Sequence, residues 1–128
     1  SNFGASRSPS ARKMRQALAL LRARVPDLEV DGEMHADAAL SEAIRNRTVA
    51  ESRLSGTANL LVMPGLDAAN IGYTLLKAAA DALPVGPLLL GMSKPLHVVV
   101  PSVTARGILN VSAVAARQAQ AMRSAATG

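Results

Sequence analysis

Apolar side chains recur every three or four positions at Met14, Leu18, Leu21 and Val25, between a Ser8-Pro9 start and Pro26. Serine accepts hydrogen bonds from the free amides of a first helical turn, proline fits that turn, and proline blocks a helix interior. The spacing therefore predicts a helix over about 9–25. Leu28 to Val30 reads as a short strand running into the Asp31-Gly32 turn, and 36–46 as a second helix with Leu40 and Ile44 turned inward. After a polar connector over 47–57, the continuous apolar run from Asn59 to Met63, closed by Pro64-Gly65, predicts a buried strand feeding a helix over 67–82. Residues 84–90 read as another strand or extended segment and 96–100 as a fourth extended run rich in β-branched residues. A last helix, capped by Ser102 or Thr104, places Ile108, Val111, Ala115, Ala119 and Met122 on one face. Strand alternating with helix predicts an α/β fold of three α/β/α layers around a largely parallel sheet.

A chain of 128 residues, 49% hydrophobic with mean hydropathy +0.20, is sized for one domain with its own core. With one Tyr, one Phe and no Trp, that core rests on aliphatic residues and alanine. No apolar run approaches the roughly 20 residues that span a bilayer, so no membrane partner is expected. The start Ser1-Asn-Phe-Gly4 lacks the basic and apolar regions of a secretory signal. Zero cysteines exclude disulfides and thiolate chemistry and fit a reducing cytoplasm. The net charge of +5 invites a nucleic-acid reading, but the cations gather at Arg7, Arg12, Lys13, Arg15, Arg22 and Arg24 on or beside one predicted helix. Without aromatics for base stacking, a solvated helix face, a face turned to an acidic subunit or attraction of a phosphorylated small ligand is favoured over nucleic acid.

Strand-to-helix turns are where α/β proteins place ligands, which singles out Pro64 to Asn70. Two uses are open. The amides of the helix start can hold an anion, or Asp67 can cap the helix while Asn70 anchors the loop. Asp31, Glu33, His35 and Asp37 group carboxylates with an imidazole, yet acidic residues around a Gly turn are common and Asp37 suits a first helical turn. A turn and a helix start are favoured there over a metal or acid-base site. His97, within an apolar run, reads as a hydrogen-bonded core or cleft histidine, and Tyr73 as a core or interface residue. No Gly-x-Ser-x-Gly elbow supports a serine triad.

Several motifs act together: Asp27-Leu28 through Asp37-Ala-Ala, Gly56-Thr-Ala-Asn59, Asp67-Ala-Ala-Asn70, Gly86-Pro87 and Lys94-Pro95. With these the chain resembles the phosphate acetyl/butyryltransferase family from about Asp27 to Gln120. The resemblance implies a fragment of a two-lobed fold, with 1–95 in the main lobe and 96–128 a return segment and C-terminal helix. Active members place Ser-Arg-Gly after Lys-Pro and an Asp seven residues beyond that Ser. Those positions fall here on Val100, Pro101, Ser102 and Gly107. Valine offers no hydroxyl, proline no cation and glycine no base, and Arg106 is permanently charged. No catalytic residue and no metal ligand is expected.

Within the family the chain resembles the C-terminal transferase-like domains of the large bacterial malic enzymes, through Ser8-Pro-Ser-Ala-Arg-Lys-Met14, Val30-Asp-Gly-Glu-Met-His35 and Thr104 to Asn110. That similarity implies a regulatory and oligomerising role, homo-oligomers, upstream malic enzyme domains as partners, and acetyl-CoA or a related acyl-CoA as effector. It implies no cofactor in this segment, with NADP or NAD and a divalent metal upstream; the chain has no Gly-x-Gly-x-x-Gly. Asp67, Asn70, Lys94 and Arg106 are the candidate ligand contacts; the rival reading is a helix cap and loop anchor for Asp67 and Asn70, and solvent exposure or a structural ion pair for Lys94 and Arg106. Residues 96 onward are expected to leave Val98, Val99, Ile108 and Val111 for self-association. The alternative is an active transferase that moves an acyl group between phosphate and CoA.

Overall fold

The computed structural model describes residues 2–49 and 51–126. They fall into two compact units, Ser1–Leu75 and Leu76–Gly128. Among the described residues five α-helices form: α1 (Pro9–Arg24), α2 (Ala36–Leu40), α3 (Glu42–Thr48), α4 (Leu66–Ala79) and α5 (Ala105–Ala126). None of the described helices is long and apolar enough to cross a membrane.

Helix α1 forms as its sequence predicts. The Ser8 hydroxyl accepts from the Ala11 amide at 3.3 Å, Pro9 opens the helix, and the Val25 amide closes it on Leu21 O just before Pro26. The second helix is divided instead of continuous. Ser41 is non-helical (φ −136, ψ 111) and its hydroxyl accepts from the Ile44 amide, so it ends α2 and caps α3. Serine competes well for this job because its side chain replaces a lost helical hydrogen bond. Thr104, not Ser102, caps α5: its hydroxyl accepts from the Gly107 amide at 3.0 Å and its carbonyl from Ile108.

The sheet expected from the alternation is not formed among the described residues. Segments 28–30, 59–63, 84–90 and 96–100 are non-helical, but none is a strand. An apolar run becomes a strand only when a neighbour takes up its backbone groups.

The first unit is organised by α1 and the turn at 31–33. Arg22 pairs with Asp31 at 2.7 Å and Arg15 with Glu33 at 2.9 Å, both carboxylates nearly closed to solvent. Met14, Ala17, Leu18 and Leu21 of α1 then face segments 28–34 and 58–64 across a cavity of about 370 Å³. Among the described residues of both units the buried apolar side chains are small and few, namely Ala11, Ala38, Ala39 and Val111. Large ones stand open, with Leu60 76%, Val62 69%, Leu90 74% and Val98 68% exposed. Leu40, expected inward, is also exposed.

In the second unit Val111 of α5 is buried, a correction to its expected place on an associating face, whereas Val98, Val99 and Ile108 are exposed as that reading requires. Segment 84–100 doubles back through Gly91, whose φ of +85 is a left-handed conformation that glycine adopts without strain.

Candidate functional site

Asp67 and Asn70 belong to the first unit. Helix α4 begins at Leu66 with the Gly65 carbonyl accepting from Ala69, so Gly65 holds the cap position and Asp67 lies inside the first turn. This corrects the capping role expected for Asp67. Its carboxylate still stands beside the positive end of the helix, where it competes with any incoming phosphate. Asn70 is exposed, and its backbone carbonyl accepts from Thr74 Oγ1 at 2.8 Å. The loop is instead anchored from α1, where Lys13 Nζ donates to Pro64 O. Tyr73 is 48% exposed and not a core residue.

Lys94 and Arg106 belong to the second unit, and both are exposed. Lys94 borders a small, mostly apolar cavity of about 200 Å³ with Leu89, Met92, Pro95, Gln118 and Met122. Arg106 lies in the first turn of α5. Val100 is 57% exposed and Pro101 sits in the turn before α5. Gly107 is enclosed: a Cβ built there would stand 2.8 Å from Val103 Cγ2 and 3.3 Å from Thr104 Oγ1. Any side chain at 107, an aspartate included, must therefore displace Val103.

The carboxylates of the 31–37 segment are engaged in holding the chain together. Asp31 accepts from Arg22, from the Gly32 and Arg53 amides and from Ser52 Oγ, all within 2.9 Å. Glu33 Oε1 accepts from Arg15 and the Gly4 amide. The His35 ring lies 3.4 Å from the Asn2 side-chain amide, and Asp37 Oδ1 accepts from the Ala38 amide. No group of three or more His, Asp or Glu among the described residues is arranged to hold a metal ion.

Sequence reasoning missed Arg45, which is fully buried. Its guanidinium donates to the carbonyls of Ala38 (3.1 Å), Leu54 (3.2 Å) and Gly56. The same loop offers its donors elsewhere: Arg53 N to Asp31, and Ser55 N and Oγ to Glu29. Donors and acceptors of 53–56 thus alternate between two carboxylates and one guanidinium, as they would between neighbours in a sheet. These hydrogen bonds and the nearby Arg45 charge hold the Glu29 carboxyl below its ordinary 4.5. An arginine amid polar residues of a short helix carries no periodic signal, so only the folded loop reveals its role.

These positions lie in a fold whose relatives are known. The model of the phosphate acetyl/butaryl transferase family matches residues 1–116, and the chain belongs to that family. It is 56% identical over 115 residues to the NAD-dependent malic enzyme of Rhizobium meliloti, covering 90% of this chain and 15% of that protein. It is 53% identical over 121 residues to the NADP-dependent malic enzyme of Escherichia coli, covering 94% of this chain and 16% of that protein. Among solved structures, a phosphotransacetylase from Streptococcus pyogenes superposes with a TM-score of 0.86 at 31% identity, over 93% of this chain and 36% of that one. The chain thus spans a small part of each malic enzyme and about a third of the solved transferase.

Proposed function

We propose that this chain is a non-catalytic regulatory and oligomerisation domain of a larger malic enzyme, responding to acetyl-CoA or a related acyl-CoA. The observation that carries the proposal is the composition of the catalytic positions. Val100, Pro101 and Gly107 stand where the resemblance calls for a hydroxyl, a cation and a base, and Val103 crowds the last of them. General base catalysis needs a group of suitable pKa within hydrogen-bond reach, which these residues do not supply. Sensing needs only that the effector bind one state of the assembly better than another.

In this reading, residues 1–95 belong to the main lobe and 96–128 return to the other, and the non-helical apolar segments pair with chain outside this sequence. The bare side chains of Leu60, Val62, Leu90 and Val98 support that view. Soluble proteins rarely leave large contiguous apolar patches open. Lys94 and Arg106 of the second unit are the proposed contacts for the effector's phosphates, and Asp67 and Asn70 of the first unit are proposed as contacts away from those phosphates. The parent would oxidatively decarboxylate malate with NADP or NAD in the cytoplasm. In this reading the dinucleotide and divalent metal belong to the upstream domains, while Asp31 and Glu33 serve as scaffold through Arg22, Arg15 and Ser52.

A second reading, an active acyltransferase, is favoured by the superposition on the solved phosphotransacetylase. Thioester formation from acetyl phosphate and CoA by the intact parent separates the two, read alongside calorimetric binding of acetyl-CoA. The regulatory reading predicts binding without turnover. Turnover that depends on this segment would contradict it, and absence of binding in every oligomeric state would leave only a structural role.

A further inference from the structure

His97 sits between two parts of the second unit. Its Nδ1 lies 3.2 Å from the Leu89 amide and its Nε2 2.9 Å from Gln118 Oε1 on α5. A backbone N–H can only donate, so Nδ1 must be the bare nitrogen and the ring proton must sit on Nε2, where it donates to Gln118. Both ring nitrogens are therefore committed in the neutral tautomer. Protonation turns Nδ1 into a donor facing a donor, and the Leu89 bond is lost.

We propose that His97 is a protonation-sensitive clasp that ties segment 84–95 to α5 in its neutral form and releases it when the ring is charged. Leu89 and Gln118, its two partners, also line the 200 Å³ cavity beside Lys94, so release opens that cavity. The charged groups on the elements that contact the ring are Lys94 on the segment and Arg106, Arg117 and Arg123 on α5, all cationic. There is no Asp or Glu from 82 to 128, and Asp81 is the sole acid of this unit. An imidazolium here finds no carboxylate on either element. The inference does not depend on the malic enzyme reading.

The test is hydrogen exchange of the full chain between pH 8 and 5, corrected for the intrinsic pH dependence of amide exchange, with the His97 ring followed by nitrogen NMR. The ring is expected to carry its proton on Nε2 at high pH. Protection of the Leu89 amide should fall about tenfold as the ring charges, in keeping with loss of one hydrogen bond, while Val111 in α5 stays unchanged. His97→Asn, whose side-chain oxygen can accept from Leu89 without titrating, should abolish the pH dependence. Gln118→Glu sets a carboxylate against Nε2 and should move the loss of protection upward by about one pH unit. A proton on Nδ1 at high pH, or Leu89 protection that ignores the charge state of His97, would overturn the proposal.

Discussion

Arg45 shows how one side chain can substitute for secondary structure. A buried charge is costly unless its donors are satisfied, and here three backbone carbonyls from α2 and the 54–56 loop accept from the two terminal nitrogens, while Nε is buried without a partner. Gly56 has φ +77, a left-handed conformation that glycine tolerates. Arg45→Met keeps much of the aliphatic stem but leaves those carbonyls without their donor. Losses of roughly 1–3 kcal/mol accompany a buried polar group deprived of its partner, so the variant should lose about 3 kcal/mol of stability in chemical denaturation. Proteolysis should also concentrate at 52–56. A variant as stable as the parent would show that the carbonyls find other donors. Nothing in the sequence around Asn46 marks this residue, because its partners are backbone atoms up to 11 positions away.

At the scale of elements, helices were legible and strands were not. Helix α1 carries its start, stop and periodicity within 19 residues of its own sequence, from Ser8 to Pro26. The divided helix at Ser41 was missed because serine is tolerated inside helices and decides otherwise only when its hydroxyl takes over as a cap. Apolar runs at 59–63 and 96–100 declare burial, but pairing depends on neighbours that no local pattern names. The loop at 52–56 is likewise held from outside, by Glu29 and Asp31. The carboxyl of Glu29 is depressed below 4.5 by its hydrogen bonds to Ser55. Its contribution is therefore complete above pH 4.5 and disappears as pH falls through the lower value of the folded state. Denaturation of the unsubstituted protein and of Glu29→Gln should differ by a constant amount near neutrality and converge at a pH below that at which an ordinary carboxyl titrates. A difference that persists unchanged to that pH would show that the carboxylate charge does not hold the loop.

The candidate site was only partly legible. Sequence placed Val100, Pro101 and Gly107 at the family's catalytic positions, and only the folded chain shows Val103 crowding Gly107. Among the described residues few apolar side chains are buried and many are open. Burial supplies about 25 cal/mol for each Å² removed from water, so the open leucines and valines are a reservoir of association energy. In the proposed assembly, further chain and a second copy cover them, and effector binding is coupled to that covering. The most direct test is the rate of malate-dependent NADP or NAD reduction by the intact parent, titrated with acetyl-CoA and compared with a parent lacking residues 1–128. The account predicts that acetyl-CoA changes the rate only when the segment is present. An identical response without the segment, or no malate oxidation by the parent, would contradict it.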